Sequence, residues 1–262
     1  MYAEERQGLV QRLVADSGRV AVIDLAREFD VTTETIRRDL AQLEGRGILR
    51  RVHGGAVAAS RGSSLEESVS VRSVRNAEAK ARIALLALSL IPPTFSGAIT
   101  IDAGTTTGLF AGHLAQWRPR SRHQSLVVIT NSIPVASALS ENPAVEVNLL
   151  GGRLRGITSA AVGAATLSQL ARIRSDIAFI GANGLHAEFG LSTPDVEEAA
   201  VKTAFTRGAR RAVALVDASK LGEETLVKFA DLSDLDTLIT DGEPQTDVSA
   251  ALRQAEVEVM VA

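Results

Sequence analysis

Hydrophobic side chains recur at helical spacing in three short stretches between residues 4 and 46. Within each stretch they lie three or four residues apart, which is the pattern of an amphipathic helix. A tight turn separates the second stretch from the third, with Thr32 as a helix N-cap. Three short helices joined in this way predict a helix-turn-helix at about residues 20–39. The hydrophobic positions are Leu9, Val10, Leu13 and Val14, then Val22, Leu25, Ala26 and Phe29, then Ile36, Leu40 and Leu43.

The third predicted helix, about residues 33–46, has a polar, arginine-bearing face opposite its hydrophobic one. Such a face suits a helix that lies in the major groove of DNA, although a solvated face of a three-helix bundle has the same composition. Residues 48–57 then predict two short strands around a glycine turn, and this wing favours DNA binding. The candidate DNA contacts are Thr33, Glu34, Thr35, Arg37, Arg38 and Gln42 in the helix and Arg50, Arg51, His53 and Gly54 in the wing.

From residue 71 onward, strand and helix patterns alternate along the chain. Apolar, β-branched strands separated by helices predict an α/β domain with a mostly parallel sheet, so that the whole chain is α+β. The small, polar residues 58–70 predict a linker between a domain of residues 1–57 and a domain of residues 71–262. Strands are predicted at 98–102, 125–130, 145–150, 176–180, 211–216, 235–240 and 256–261, and helices at 76–90, 106–117, 134–140 and around 194–206.

Loops rich in glycine and hydroxyl groups follow several of the predicted strands. Gly104 and three threonines open the helix after the first strand, where free N–H groups would hold an anion; a plain capped turn is the alternative. Ligands of open α/β sheets bind beyond the carboxyl ends of the strands, so these loops predict a site for a small, polyhydroxylated anion. The candidate residues are Asp102, Gly104, Thr105, Thr106, Thr107, Asn131, Ser132, Gly151, Gly152, Gly181, Gly184 and Lys220.

One further predicted helix carries two charged candidates. It starts at Thr193-Pro194-Asp195, which combine a cap, a first-turn proline and an acid near the helix dipole. Glu198 and Lys202 then lie at positions i and i+4. Their spacing alone favours a surface ion pair.

Composition excludes several classes of protein. The 262 residues are 45% hydrophobic with a net charge of −3, which excludes a disordered chain. Absence of cysteine excludes disulfides and cysteine zinc sites, and the four histidines show no metal-ligand spacing. The longest apolar run, residues 83–91, is about half of a membrane span, and the N-terminus is acidic where a signal peptide is basic. We therefore expect a cytoplasmic globular protein with no metal site, no cofactor and no membrane contact.

Charge is distributed unevenly between the two predicted domains. The first 61 residues carry ten basic side chains, all arginine, against nine acids, and every lysine lies beyond them. Arginine favours bidentate contacts with phosphates and guanine edges, which hints at nucleic acid. A coding bias toward arginine would produce the same composition.

Four N-terminal segments resemble the DeoR-type winged helix without gaps, apart from Thr32, where serine is usual. The resemblance implies sequence-specific binding to double-stranded operator DNA, with the helix at about 33–46 as the recognition helix. The segments are Glu5-Arg6-Gln7, Asp24-Leu25-Ala26, Glu34-Thr35-Ile36-Arg37-Arg38-Asp39-Leu40 and Arg51-Val52-His53-Gly54-Gly55-Ala56.

Segments of the second domain resemble the DeoR C-terminal sensor domain, which shares its fold with isomerases of the ribose-5-phosphate type. The resemblance implies a phosphorylated sugar as effector, and it makes Glu198, Lys202 and Lys220 candidates for contacts with ligand hydroxyls or phosphate. The segments are Asp102-x-Gly104-Thr105-Thr106-Thr107, Thr130-Asn131-Ser132, Leu149-Leu150-Gly151-Gly152, Gly190-Leu191-Ser192-Thr193-Pro194 with Glu198 and Lys202, and Asp217-x-Ser219-Lys220.

Two functions of different class follow from these features. The first is a transcriptional repressor of a carbohydrate-utilisation operon, without catalytic residues, whose operator affinity responds to the sugar phosphate. It would be a homodimer or homotetramer, because one winged helix makes few phosphate contacts. The second is a sugar-phosphate isomerase-like enzyme carrying a DNA-binding unit, with Asp102, Glu198 and Lys202 in acid–base roles. An architectural DNA binder would leave the loops of the large domain unexplained.

Overall fold

The chain folds into two compact units, Met1–Leu65 and Glu66–Ala262. The computed structural model describes residues 3–17, 19–46, 48–52, 54–58, 66 and 68–262. Of the linker predicted at residues 58–70, residues 59–65 and 67 lie outside the described residues, and a helix begins at Val69. The two units are described separately below.

In the described part of the first unit, three helices pack with a small antiparallel sheet. The predicted helices and the two wing strands are confirmed, and strand order in the sheet is β1-β3-β2. Strand β1 was not predicted, because three residues are too few to show an alternating pattern. The elements are α1 (Ala3–Ser17), β1 (Arg19–Ala21), α2 (Val22–Glu28), α3 (Thr33–Gly45), β2 (Leu49–Val52) and β3 (Gly55–Ala58).

The core of the first unit consists of the hydrophobic positions that define the predicted helices. Ile36, Leu40 and Leu43 of α3 are buried against side chains of α1 and α2. The sheet packs closely enough that a Cβ on Gly55 would lie 2.0 Å from the carbonyl oxygen of Val20. Glycine at this position therefore lets β3 approach β1.

Helix α3 begins at the cap that the sequence predicts. Thr32 has extended backbone angles, and its Oγ1 accepts a hydrogen bond from the Thr35 N–H at 3.2 Å. One of the free donors of the first turn is thereby satisfied.

Replacing Thr32 with alanine is expected to lower the free energy of unfolding of the first unit by about 1 kcal/mol, because the alanine cannot accept this bond. Thr32→Ser keeps the hydroxyl and is the matched control. Urea unfolding of both variants, followed by circular dichroism, measures the difference. An alanine variant as stable as the serine variant would contradict the role of the cap.

The second unit is built around a parallel sheet of seven strands among its described residues, in the order β15-β14-β12-β9-β4-β5-β6. All six neighbouring pairs are parallel, which confirms the predicted α/β architecture. The strands are β4 (Gly97–Ile101), β5 (Leu126–Thr130), β6 (Val145–Leu149), β9 (Ser175–Gly181), β12 (Ala209–Leu215), β14 (Thr237–Thr240) and β15 (Glu258–Val261).

Helices cover both faces of this sheet, and two hydrophobic clusters lie between helices and strands. In β9, Phe179 belongs to one cluster, whereas Ala178 and Ile180 belong to the other. Burial on both faces explains why these strands are continuous apolar runs in the sequence. The helices are α4 (Val69–Val74), α5 (Ala77–Ala87), α6 (Thr105–Leu114), α7 (Ile133–Leu139), α8 (Ala164–Leu170), α9 (Val196–Gly208) and α10 (Thr246–Gln254).

The second unit also contains short antiparallel strands, which the sequence did not predict. β7 pairs with β8, and β10, β11 and β13 form a three-stranded sheet. Within the described residues, no helix is both long and apolar enough to cross a membrane. The short strands are β7 (Arg153–Arg155), β8 (Ala160–Val162), β10 (Gly184–His186), β11 (Gly190–Thr193) and β13 (Val227–Ala230).

The centre of the large sheet is a topological switch point. The chain runs outward from β4 through β5 and β6 on one side, and from β9 through β12, β14 and β15 on the other. A crevice opens at such a point beyond the carboxyl ends of the two central strands. Asp102 follows β4, and Gly181 ends β9, so two of the predicted site residues lie here.

Candidate functional site

Helix α3, the predicted recognition helix, is held against α1 by buried polar contacts. Arg6 Nε donates to Asp39 Oδ2 at 2.6 Å, and Gln7 Nε2 donates to Asp39 Oδ1 at 3.0 Å. Both charged side chains are buried. Two residues of the resemblance, Arg6 and Asp39, therefore fix the orientation of α3 and turn the opposite face outward.

The outward face of α3 presents most of the predicted DNA contacts to solvent. Thr33, Glu34, Arg37 and Arg38 are exposed. Gln42 is also exposed, but its Oε1 accepts a hydrogen bond from Gln7 Nε2 at 2.6 Å. The helix therefore offers hydroxyl and guanidinium donors on one surface, and contact of these residues with DNA stays a prediction.

The wing contributes one arginine whose contacts are described. Arg51 Nε lies 2.6 Å from Glu44 Oε2, and the Arg51 N–H donates to Glu44 Oε1 at 2.8 Å. Gly54 forms the exposed turn with a φ of 82°. His53 and the side chain of Arg50 lie outside the described residues. Arg51 therefore ties the wing to α3, a contact that the sequence did not predict.

Asp102 and Lys202 form a buried ion pair in the crevice of the second unit. The Asp102 carboxylate accepts hydrogen bonds from Lys202 Nζ, from the Gly181 N–H at 2.8 Å and from Thr107 Oγ1 at 2.7 Å. Lys202 Nζ also donates to the Gly181 carbonyl at 2.9 Å. These bonds join the ends of β4 and β9 to helix α9. Lys202 thus pairs with Asp102 and not with Glu198, its neighbour at i−4.

The three threonines of the predicted anion-binding loop have two different roles. Thr105 and Thr106 open α6 and line the crevice, where the first turn of the helix presents N–H groups. Thr107 is buried, and its hydroxyl accepts from the Gly104 N–H at 2.9 Å while it donates to Asp102. A Cβ on Gly104 would lie 2.8 Å from that hydroxyl. Thr107 therefore shapes the loop from within.

Glu198 also lines the crevice, and its buried carboxylate belongs to a cluster of charges. Its Oε1 accepts from Arg155 Nη1 at 2.7 Å and from the Thr158 hydroxyl. Arg155 Nη2 also donates to Glu66 Oε2 at 2.7 Å and lies 3.2 Å from Asp195 Oδ2. Burial alone would lower the pKa of Arg155, but its hydrogen bonds to Glu66 and Glu198 outweigh burial and raise that pKa.

A second charged cluster surrounds Asp217. Lys220 Nζ lies 3.2 Å from Asp217 Oδ2, and Asn76 Nδ2 donates to Asp217 Oδ1 at 3.0 Å. Burial alone would raise the pKa of Asp217, but Lys220 together with hydrogen bonds from Ser219 and Asn76 lowers it to about 2. Burial, with the charge of Lys220, lowers the pKa of Lys80 to about 8.

The lowered pKa of Asp217 predicts a pH dependence of stability. The carboxyl titrates near 3.8 in the unfolded chain and near 2 in the folded one, so the unfolded chain binds the proton first as pH falls. Asp217 therefore stabilises the second unit above pH 4, and this contribution is lost between about pH 4 and 2. The stability difference between wild type and Asp217→Asn is expected to shrink across that window.

Urea unfolding at several pH values, followed by the fluorescence of the single tryptophan, Trp117, measures this difference. Asp231→Asn changes an exposed carboxylate of the same unit and is the control. A wild-type advantage over Asp217→Asn that stays constant down to pH 2 would contradict the assignment.

The crevice opens to solvent at the carboxyl ends of the two central strands. An adjoining cavity shares Glu198 and Lys202 with it and contains Asn131, which is 3% exposed and whose Oδ1 has no hydrogen-bond partner among the described residues. Within the described part of the chain, no group of acidic or histidine side chains is arranged to hold a metal ion. The residues lining the crevice are Arg72, Ala103, Gly104, Thr105, Thr106, Gly181, Ala182, Asn183, Glu198, Lys202 and Lys220.

Several predicted residues have other contacts in the structure. Ser132 caps α7 by accepting from the Val135 N–H, and the Gly151 carbonyl accepts from Thr166 and Gln169 of α8. A Cβ on Gly152 would lie 2.1 Å from Thr166 Oγ1, and one on Gly184 2.5 Å from the Glu223 carbonyl oxygen. These residues cap a helix or pack loops, and they are not among the described residues that line the crevice or the adjoining cavity. Binding of an effector by the predicted set stays a prediction.

Three functional candidates were not predicted from the sequence. Arg72 and Asn183 line the crevice, and Arg155 holds Glu198 from a short strand. Asn183 lies in the predicted loop 181–184, where the hydroxyl and glycine pattern could have included it. Arg72 and Arg155 stand in segments without a recognisable motif.

Comparisons with known proteins match both units. Residues 6–61 match the family model described as the DeoR-like helix-turn-helix domain, and residues 75–242 match the DeoR C terminal sensor domain. The HTH-type transcriptional regulator GlpR of Haloferax volcanii is 36% identical over 99% of this chain and 98% of that protein. The glycerol-3-phosphate regulon repressor of Escherichia coli is 30% identical over 99% of both chains.

Among solved structures, the chain is similar to ribose 5-phosphate isomerase A of Methanocaldococcus jannaschii. The sequence identity is 21% and the TM-score is 0.41. The match covers 56% of this chain and 55% of the isomerase.

Proposed function

Since this chain belongs to the DeoR family and is a DNA-binding transcriptional regulator, we propose that it represses a carbohydrate-utilisation operon in response to a phosphorylated sugar or polyol. Family membership also decides against the isomerase-like enzyme that was the alternative. In the proposed mechanism the effector binds in the crevice of the second unit and changes the affinity of the regulator for its operator. No cofactor takes part.

The distribution of charge in the crevice is the observation that carries this proposal. Cationic side chains, Arg72, Lys202 and Lys220, line it together with the N-terminus of α6, a combination that suits an anion. The adjoining cavity offers the acceptor Asn131 Oδ1 and the Glu198 carboxylate, which suit ligand hydroxyl groups. An anionic group next to several hydroxyls describes a sugar phosphate or a polyol phosphate.

The exposed face of α3 supports the proposed binding to operator DNA. Thr33, Arg37 and Arg38 lie outward at the start of the helix, where hydroxyl and guanidinium donors reach base edges and phosphates. Two such helices are needed for useful affinity, so we propose a homodimer or homotetramer that acts on paired half-sites in the cytoplasm.

Fluorescence anisotropy with DNA from upstream of the protein's own gene tests the proposal. The affinity is measured with and without glycerol 3-phosphate, ribose 5-phosphate, fructose 1-phosphate and glucose 6-phosphate, and the unphosphorylated compounds are the matched controls. We expect one phosphorylated compound to change the affinity about tenfold, which is about 1.4 kcal/mol of coupling. The compound should be recovered unconverted. Tight DNA binding that no compound changes would overturn the role of the crevice, and turnover of a sugar phosphate would favour the isomerase-like enzyme.

A further inference from the structure

We infer that Arg72 binds the phosphate group of the effector and that Glu66 is the counter-ion which Arg72 gives up when the phosphate enters. This inference rests on the proposed function, since it names the pair of residues through which the same crevice recognises its ligand. Neither residue was a candidate on the sequence. The argument depends on how each of the two side chains is held.

Arg72 has unused hydrogen-bonding capacity at the wall of the crevice. Its Nε and Nη2 are buried and have no hydrogen-bond partner among the described residues. Nη2 lies 4.0 Å from Glu66 Oε1, which is an ion pair but too long for a hydrogen bond. Guanidinium donors that are buried and unpaired cost free energy, and a phosphate in the crevice would satisfy them.

Glu66 can release Arg72 without becoming an isolated buried charge. Its other oxygen, Oε2, accepts a 2.7 Å hydrogen bond from Arg155 Nη2, whereas Oε1 is buried and has no hydrogen-bond partner in the described part of the chain. Arg155, which Glu66 shares with Glu198 and Asp195, keeps this hydrogen bond in either state. The weak contact is the one with Arg72, so that contact is the one an anion displaces.

Lys80 fixes the turn of backbone that carries Arg72. Its buried Nζ donates to the carbonyl oxygens of Arg72 and of Arg75, the latter at 2.7 Å, at the end of α4. A cation that binds the last carbonyls of a helix stabilises its end. The Arg72 side chain therefore starts from a fixed backbone, which reduces the entropy lost on binding.

The surroundings favour a phosphate monoester as the anion. The planar guanidinium fork matches two phosphate oxygens, and the N–H groups at Thr105 and Thr106 line the same crevice with Lys220. A phosphate accepts hydrogen bonds on three terminal oxygens, so donors can approach it from several sides.

Phosphorus NMR titration of the full-length protein with inorganic phosphate tests the inference. Arg72→Gln is expected to weaken phosphate binding about tenfold or more, because a charged hydrogen-bond donor is lost. Glu66→Gln is expected to strengthen binding roughly two- to fivefold, because a competing ion pair is removed. In the double variant, the gain from Glu66→Gln should disappear. Arg82→Gln removes an exposed arginine on the neighbouring α5, paired with Asp241, and should bind phosphate as the wild type does.

The two single variants are expected to change the affinity for phosphate in opposite directions. This difference distinguishes a role in binding from a purely structural role. A purely structural ion pair predicts that both variants weaken binding, and this result would overturn the inference. Wild-type affinity in Arg72→Gln would also overturn it, while the proposed function would stand. If the wild type binds neither inorganic phosphate nor any sugar phosphate, the proposed function itself fails.

Discussion

Replacement of Lys202 by methionine is expected to lower the free energy of unfolding of the second unit by about 3–5 kcal/mol, which is the cost of removing one partner of a buried ion pair. Asp102 is 2% exposed and Lys202 is 7% exposed, so the variant leaves a carboxylate in the interior without its cation. The same carboxylate accepts the Gly181 N–H and the Thr107 hydroxyl, so the ends of both central strands lose support. The crevice is expected to lose effector binding with it.

Urea unfolding followed by Trp117 fluorescence measures this effect, because the single tryptophan is buried in the second unit. Lys228→Met is the matched control, since Lys228 pairs with Asp231 where their side chains are 35% and 57% exposed. We expect the control to lose at most about 1 kcal/mol. Asp102→Asn in the Lys202→Met background should recover part of the loss, because the amide removes the buried charge. If Lys202→Met and Lys228→Met lowered the free energy of unfolding equally, the buried pair of Asp102 and Lys202 would not have the predicted effect on stability.

Replacement of Asp39 by alanine is expected to have a comparable effect on the first unit, about 3–5 kcal/mol. Arg6 then loses the buried carboxylate with which it pairs, and Gln7 loses the acceptor at Asp39 Oδ1. A unit of this size is stabilised by only about 3–10 kcal/mol, so the loss removes most of its stability. Operator binding should therefore fall steeply, even though Asp39 is buried and away from the exposed face of α3.

Circular dichroism and Trp117 fluorescence together assign this effect to the correct unit. The helical signal at low urea concentration should decrease in Asp39→Ala, while the unfolding midpoint from Trp117 stays at the wild-type value. Glu34→Gln is the control, because Glu34 pairs with Arg37 at 3.7 Å on the exposed face. The control should keep wild-type helicity. Normal helicity and operator binding in Asp39→Ala would show that the buried pair is dispensable.

The helices of the first unit and the seven strands of the large sheet could be predicted from the sequence, because each buries a regular set of apolar positions. Ile36, Leu40 and Leu43, for example, lie three or four residues apart and are all buried. Strands such as β1 and β7 have three residues each, which is too short for periodicity to reveal. Their formation depends on partners elsewhere in the chain.

The location of the candidate site could be predicted from the sequence, but the ion pairs within it could not. Glycine, hydroxyl and charged residues after successive strands indicated one edge of the sheet, and Asp102, Gly104 and Lys202 do meet there. The helical spacing of Glu198 and Lys202 is local information and favoured a pair between them. The actual partner of Lys202, Asp102, is 100 residues away, and only the fold brings the two together.

The order of strands in the large sheet has a consequence for folding. β4 pairs with β9 through Ile99 and Ile177, so the crevice forms only after a long loop has closed. Contacts between residues this far apart in sequence slow folding, because the entropy of loop closure is lost before any contact is gained. A partly folded chain therefore lacks the proposed effector site, and an effector bound there would add to the stability of the whole second unit. Effector at the proposed site would then raise the free energy of unfolding of the second unit, in addition to changing how much of the regulator is bound to DNA.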